Sequence, residues 1–173
     1  MDCGAAEGLF ALKIYGKCKR VYLIEPLSKF VGSLNMTFEK AYNVEILPLA
    51  ISDKEYSTKI SDNDISSALS DTEEGERVNV TTLDKIFLEK NIPGHYLKMD
   101  LEGHDFKALI GAEGLIRKYM PKIAVTTYHD INHASQIANF LKSIAPDYNI
   151  FCKGIYQETG SPVMLHAWID KQV

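Results

Sequence analysis

The sequence predicts an α/β fold: a doubly wound, mostly parallel sheet that ends in an antiparallel hairpin. Three observations support this prediction. Short apolar runs typical of buried strands alternate with segments whose apolar residues recur at helical spacing. The last two apolar runs, 148–152 and 163–169, are joined by a turn-rich stretch instead of a helix. Acidic and small residues follow several of the runs, at the strand ends where such sheets bind ligands.

The elements follow in order from their local patterns. Apolar runs predict strands at 21–25, 44–51, 95–100, 122–128, 148–152 and 163–169. Helical spacing predicts helices at 8–15, 27–41, 82–90, 105–118 and 133–144, the fourth of them interrupted near Gly111. Residues 52–80 are polar and rich in Ser and Asp, so we expect a loop with a small hairpin inserted into a single domain, 1–173.

The start of the chain departs from this pattern. Asp2 stands where a first strand should end, yet only Met1 precedes it. A strand usually has about five residues. The sequence therefore predicts an N-terminally truncated domain whose first strand is largely missing. Because that strand is central in a doubly wound sheet, we expect two neighbours to lack ladder partners and the chain to be marginally stable.

Composition excludes several classes of protein. The length of 173 residues suits one domain, and 46% hydrophobic with 24% charged residues is typical of a soluble globular protein. A net charge of -4 argues against a nucleic-acid partner. No run is long enough for a membrane span, and no signal peptide is visible. Three cysteines without metal spacing favour reduced thiols and a cytoplasmic location.

The heptad Asp2-Cys3-Gly4-Ala5-Ala6-Glu7-Gly8 and the acid Glu25 predict a nucleoside-cofactor site. Small residues let backbone amides approach a ligand, and a carboxylate at the next strand end can accept hydrogen bonds from both ribose hydroxyls. A leading carboxylate repels a pyrophosphate but attracts the ammonium of a methionine moiety. The pattern therefore favours S-adenosylmethionine over NAD, with an ordinary tight strand-to-helix turn as the alternative.

A second group of polar residues follows the predicted strand at 95–100. Lys98-Met99-Asp100-Leu101-Glu102-Gly103-His104-Asp105 contains several ionisable groups, and the next strand ends in Tyr128-His129-Asp130. Because carboxyl ends of parallel strands share one edge, we expect these groups to face substrate or cofactor. The alternative is that Asp105 caps a helix and His129 is an ordinary loop histidine.

These motifs together resemble the FkbM family of S-adenosylmethionine-dependent methyltransferases. The matching stretches are 2–8, 22–26, 50–53, 82–84, 107–112 and 128–129, with Leu97-Lys98-Met99-Asp100-Leu101-Glu102-Gly103 the most specific. The resemblance implies a class I methyltransferase fold, a Rossmann-like sheet, and methylation of a hydroxyl on a small molecule or sugar. One departure is His104-Asp105, where the family more often has a small residue and Glu.

From the motifs and the resemblance we expect two sets of site residues. The cofactor-binding set is Asp2, Gly4, Ala5, Ala6, Gly8, Glu25, Pro26, Ser52 and Asp53. The catalytic set is Asp100, His129, Lys98 and Glu102. Asp100 and His129 are the best bases by residue type and location, and Lys98 can steady a developing alkoxide.

Other interpretations stay open at this point. We expect no metal, but Asp100, Glu102 and His129 could instead act as ligands of an ion that orients a diol. The rival functions are a non-catalytic remnant of the fold and an NAD-binding oxidoreductase. The expected partners are the hydroxyl acceptor and a second copy of the chain in a homodimer.

Overall fold

The computed structural model describes residues 1–60, 69–70 and 75–170. The strands are β1 Asp2–Cys3, β2 Val21–Ile24, β3 Val44–Leu47, β4 Ala50–Ile51, β5 Tyr56–Ile60, β6 Leu69–Ser70, β7 Glu76–Thr81, β8 Tyr96–Met99, β9 Lys122–Thr126, β10 Asn149–Ile155 and β11 Pro162–Trp168. The helices are α1 Leu9–Ile14, α2 Ser28–Thr37, α3 Asp105–Ile110, α4 Glu113–Tyr119 and α5 His133–Ile144.

Among the described residues, the main sheet has seven strands in the order β10-β11-β9-β8-β1-β2-β3. Five strands of this sheet, β3, β2, β1, β8 and β9, run parallel to one another. The strand β11 is antiparallel to β9, and β10 is antiparallel to β11. This arrangement confirms the predicted mostly parallel sheet with its antiparallel C-terminal hairpin. The parallel strands end at one edge, and the loops that follow them form the candidate site.

The strand β1 is short but central. Asp2 is in register with Leu23 of β2 and Lys98 of β8, and Cys3 is in register with Ile24 and Met99. The backbone of Met1 extends this contact, since its ammonium donates to the Tyr96 carbonyl at 2.9 Å. The two residues of β1 pair with both neighbouring strands, β2 and β8.

The run at 44–51 was predicted as one strand, and this prediction is wrong. It divides into β3 in the main sheet and β4 in a second sheet of order β4-β7-β5-β6. The reason is Pro48, which has no N–H for a ladder, and the Leu49 N–H bonds back to the Leu47 carbonyl at 2.9 Å. The insertion 52–80 supplies β5, β6 and β7, while 61–68 and 71–74 lie outside the described residues.

The region predicted as a helix at 82–90 is a single π-helical turn, Asp84–Leu88. Its Glu89 N–H bonds to the Asp84 carbonyl at 3.0 Å. The Asp84 carboxylate accepts hydrogen bonds from Gly114 and Leu115 at the start of α4, so this turn is fixed by the next helix. The helices α3 and α4 separate at Gly111, as predicted.

The core lies between the main sheet and its helices. Leu97, Met99 and Val125 of neighbouring strands are fully buried, together with Leu109 of α3 and Leu141 of α5. This packing holds the carboxyl ends of the strands in fixed positions. Within the described residues, no helix has the length and apolar character needed to cross a membrane.

Candidate functional site

A cleft of about 250 Å³ opens at the carboxyl ends of β1, β2 and β8. The apolar side chains that line it include Leu27, Phe30, Leu49, Ala50 and Ile51. The lining also includes the turn at Gly4 and Ala6 and the carboxylates of Glu25, Asp100 and Glu102. A cleft that combines apolar side chains with a few converging polar groups is the usual form of a small-molecule site.

The turn after β1 brings backbone close to the end of β8. Gly4 has φ +73°, and a Cβ at this position would lie 2.0 Å from the Asp100 carbonyl oxygen. Only glycine fits there, so the turn and the strand end touch directly. Gly8 has φ +80° and faces the other way: a Cβ there would meet the side chains of Leu34 in α2 and of Phe38, which follows α2. Gly4 therefore shapes the cleft, and Gly8 allows close packing behind it.

Glu25 is oriented by backbone donors. Its Oε2 accepts a hydrogen bond from the Ala6 N–H and its Oε1 accepts one from the Leu27 N–H, each at 3.0 Å. The residue is 5% exposed, and this burial raises the pKa of its carboxyl group. The two hydrogen bonds act in the opposite direction and lower the pKa, but burial is the larger effect. Each oxygen keeps a further lone pair, so a fixed carboxylate can still accept hydroxyl donors from the cleft. Pro26 lines the cleft beside it.

Asp2 and Lys98 support the same turn from the sheet. The Lys98 Nζ lies 3.0 Å from Asp2 Oδ1 and donates to the Gly4 carbonyl oxygen at 2.8 Å. Asp2 is 1% exposed and is not part of the cleft wall. Burial raises the pKa of Asp2, and the ammonium of Lys98 opposes that rise. The structure thus places both of these predicted site residues beneath the Gly4 turn.

Ser52 and Asp53 lie away from the cleft wall. Ser52 is fully buried and its Oγ donates to Asp53 Oδ1 at 3.0 Å, while Asp53 is exposed. A Cβ on Gly111 would lie 2.1 Å from the Ser52 carbonyl oxygen, so this segment packs on the break between α3 and α4. Ala5 is likewise buried outside the wall. The neighbouring Ala50 and Ile51 reach the cleft instead.

Asp100, Glu102 and His129 come together at the edge of the cleft. One donor atom from each lies within 4.8 Å of the other two. Glu102 Oε2 and His129 Nε2 lie 3.0 Å apart. The ring of Tyr128 packs on His129 with 4.0 Å between centroids. We call these three residues the acceptor-end cluster.

Asp105 lies behind this cluster. The residue is fully buried, and its Oδ1 accepts a hydrogen bond from the Leu101 N–H at 3.0 Å. The Thr126 hydroxyl lies 3.0 Å from Asp100 Oδ1 and 3.5 Å from Asp105 Oδ1. Asp105 Oδ2 is 4.0 Å from His129 Nδ1, and neither atom has a hydrogen-bond partner among the described residues. Burial raises the pKa of Asp105 to about 6.

Sequence reasoning missed part of this site. Leu27 and Phe30 belong to the helical pattern at 27–41 and were not predicted as site residues, although both line the cleft. Asp105 was included in the polar group after β8, with a helix cap as the alternative, but it was not among the predicted site residues; its side chain accepts a hydrogen bond from the Leu101 N–H of the preceding loop. Thr126 was predicted only as part of a strand.

A second cavity of about 780 Å³ lies at the opposite, amino ends of β2 and β8. Tyr22 and Tyr96 line it, together with Phe10 and basic residues such as Arg20. It is larger than the cleft, but of the predicted site residues it contains only Asp2. We place the candidate site in the smaller cleft because ligands of parallel sheets bind at the carboxyl ends of strands.

The family model of the methyltransferase FkbM domain matches residues 2–148 of the chain. This match spans β1 through α5 and includes both the Gly4 turn and the acceptor-end cluster. No curated protein is similar enough to count as a match.

Solved structures share the fold. The methyltransferase FkbM from Methylobacillus flagellatus KT has 22% identity and a TM-score of 0.75, over 96% of this chain and 42% of its own. An rRNA methylase from Streptococcus thermophilus has 13% identity and a TM-score of 0.61, over 99% of this chain and 85% of its own. A Streptococcus mutans protein in complex with SAH has 11% identity and a TM-score of 0.59, over 96% and 85%. The chain thus spans less than half the length of the Methylobacillus protein.

Proposed function

The chain belongs to the FkbM methyltransferase domain family, and on that premise we propose that it transfers a methyl group from S-adenosylmethionine to a hydroxyl oxygen of a small molecule or sugar. The observation that carries the proposal is the cleft that is lined both by the oriented carboxylate of Glu25 and by two members of the acceptor-end cluster, Asp100 and Glu102. S-adenosylmethionine requires a hydrogen-bond acceptor for its ribose hydroxyls and a polar group beside the methyl carbon that is transferred.

The cofactor is assigned to the β1 and β2 ends of the cleft. Glu25 accepts hydrogen bonds from the ribose hydroxyls, and the backbone at Gly4 and Ala6 borders the rest of the cofactor. The apolar side chains of Phe30 and Ile51 provide a surface for a planar base. The other predicted cofactor residues act indirectly, since Asp2 is buried beneath the turn and Asp53 is exposed away from the cleft.

The acceptor is assigned to Asp100, Glu102 and His129. The acceptor oxygen forms a bond to the methyl carbon while the bond between that carbon and sulfur breaks. The electron pair of the broken bond stays on sulfur, which gives S-adenosylhomocysteine. The hydroxyl proton passes to Asp100 or to His129, and Glu102 at 3.0 Å stabilises a protonated imidazole. Lys98 is engaged with Asp2 and the Gly4 carbonyl, so we assign it to positioning the first turn.

A calorimetric titration tests the cofactor assignment. S-adenosylhomocysteine is expected to bind with one site, while NAD is expected not to bind, because the chain lacks the glycine triplet for a pyrophosphate. Binding of neither ligand would support a non-catalytic remnant of the fold. Binding of NAD alone would support an oxidoreductase.

Transfer of a labelled methyl group then tests the reaction class. Label from S-adenosylmethionine is expected in a panel of sugars and small hydroxyl compounds, and not in RNA, because the chain carries a net charge of -4. Label found only in RNA would contradict the acceptor class. A cytoplasmic location and a homodimer remain predictions, which cell fractionation and light scattering can check.

A further inference from the structure

We propose that Asp100, Glu102 and His129 bind a divalent transition-metal cation at the edge of the cleft. The existence of this site depends only on the chain's own side chains. Its role in orienting the acceptor depends on the proposed function. The proposal competes with the sequence-based expectation of a metal-free site.

The geometry of the donor atoms suits one ion. Ligand atoms about 2.1 Å from a metal and at right angles to each other lie about 3 Å apart. Glu102 Oε2 and His129 Nε2 are 3.0 Å apart, and an Asp100 oxygen lies within 4.8 Å of both. Trans ligands lie about 4.2 Å apart at the same bond length, so small side-chain adjustments bring all three atoms onto one centre. Two carboxylates with one imidazole favour Mn²⁺, Fe²⁺ or Zn²⁺ over purely oxygen-bound Mg²⁺.

The second, independent observation is Asp105. This fully buried residue faces His129, with Oδ2 and Nδ1 4.0 Å apart and neither atom partnered among the described residues. A metal-bound histidine usually donates its other ring N–H to a carboxylate, which fixes the tautomer that presents the remaining nitrogen to the ion. Asp105 is held for this task by the Leu101 N–H on Oδ1. The arrangement gives a use to two buried polar atoms that otherwise lack one.

Asp100 has a comparable outer partner. The Thr126 hydroxyl donates to Asp100 Oδ1 at 3.0 Å, which orients the carboxylate toward Glu102 and His129. Asp100 is thus hydrogen-bonded by Thr126 of β9, and His129 faces Asp105 of α3 at 4.0 Å. Outer partners of this kind are a regular feature of metal sites.

The position of the site defines its use. Asp100 and Glu102 line the cleft, and three protein ligands leave coordination positions open for oxygens of the acceptor. A hydroxyl bound to a divalent cation is more acidic than a free one. The ion therefore deepens the proposed function by favouring acceptors with a chelating hydroxyl pair, and it supplies the activation otherwise assigned to Asp100 or His129.

Titration of Mn²⁺ into the metal-free chain tests the proposal without cofactor or acceptor. We expect one saturable site by calorimetry, and a nitrogen coupling from His129 in the electron-spin-echo spectrum. Glu102→Gln and Asp105→Asn should each weaken Mn²⁺ binding about 10–100-fold. Glu89→Gln, which changes an exposed acid to the same extent, should leave the affinity unchanged.

Thermal melting of each variant identifies any change in affinity that comes from misfolding. Glu102 is 27% exposed, so Glu102→Gln provides a folded variant if a buried substitution does not. Absence of a saturable Mn²⁺ site, or unchanged affinity in a folded Glu102→Gln variant, would overturn the proposal. Mn²⁺ binding without S-adenosylhomocysteine binding would refute the proposed function alone. Turnover in excess chelator without any Mn²⁺ site would refute the metal site alone.

Discussion

The two ends of the cleft differ in how their carboxylates are held. At the cofactor end, both oxygens of Glu25 accept backbone hydrogen bonds. The oxygens of Asp2 below the turn lack a hydrogen-bond partner among the described residues, but Oδ1 lies 3.0 Å from the Lys98 ammonium. At the acceptor end, Asp105 Oδ2 and His129 Nδ1 also lack a partner among these residues, and they face each other at 4.0 Å. Glu25 is therefore fixed before a ligand binds, whereas the acceptor end keeps unpaired polar atoms that a ligand can complete.

Changes at the acceptor end should have the largest effect on rate. Replacing Asp100 by Asn or His129 by Gln should lower turnover about 10²–10⁴-fold, because each removes a group that acts on the acceptor hydroxyl. Affinity for S-adenosylhomocysteine should stay nearly constant. Steady-state kinetics with calorimetry measures both quantities, and a loss confined to cofactor affinity would move Asp100 to the cofactor end.

The glycine of the first turn should have the largest effect on stability. Gly4→Ala forces a Cβ to within 2.0 Å of the Asp100 carbonyl at φ +73°, so we expect a loss of about 2–4 kcal/mol in the free energy of unfolding. Gly32→Ala is the matched control: Gly32 lies in α2, and a Cβ there would meet no atom within 4 Å outside its own stretch of helix. This variant should gain about 0.5–1 kcal/mol. Denaturant unfolding measures both, and equal effects would show that the turn tolerates a side chain.

Glu25→Ala should weaken binding of S-adenosylhomocysteine roughly tenfold to a hundredfold. The reason is the loss of a charge-assisted hydrogen bond to the ribose hydroxyls, which is typically about 1.5–3 kcal/mol. Glu45→Ala, an exposed acid on the neighbouring strand β3, serves as the control and should bind normally. An unchanged affinity in the Glu25 variant would remove this residue from the cofactor site.

The smallest expected effect is a pH dependence of stability. Burial raises the pKa of Glu25, so the folded state holds its proton more tightly than the unfolded chain. Stability from this residue is therefore fully present below the ordinary Glu pKa of about 4.3 and is lost as pH rises through the raised value. The free energy of unfolding of the wild type relative to Glu25→Gln should fall across that window. A difference that grows with pH would contradict the assignment, and Glu45→Gln should give a flat control.

Local patterns predicted most of the fold. The helix at 133–144 and the break at Gly111 follow from apolar spacing, and the antiparallel hairpin follows from the turn-rich stretch before β11. The predicted FkbM family is confirmed by the model that matches residues 2–148. The error at 44–51 came from reading an apolar run as one strand across Pro48, where the missing N–H let the chain change sheets.

The site was predictable in position and less so in detail. Strand ends showed where ligands bind, and Gly4, Glu25, Asp100 and Glu102 do line one cleft. Which side chains turn inward depends on tertiary packing, which the sequence does not display. Asp105 illustrates this limit, because its role follows from a 4.0 Å approach to a residue on another strand end.

A crystal structure of the chain with S-adenosylhomocysteine tests the central claim most directly. The expected result places the ribose hydroxyls within hydrogen-bond distance of Glu25, with the sulfur directed toward Asp100 and His129. Phe30 and Ile51 should contact the base. Density for the ligand in the 780 Å³ cavity at the amino ends of β2 and β8, with the cleft empty, would contradict the account.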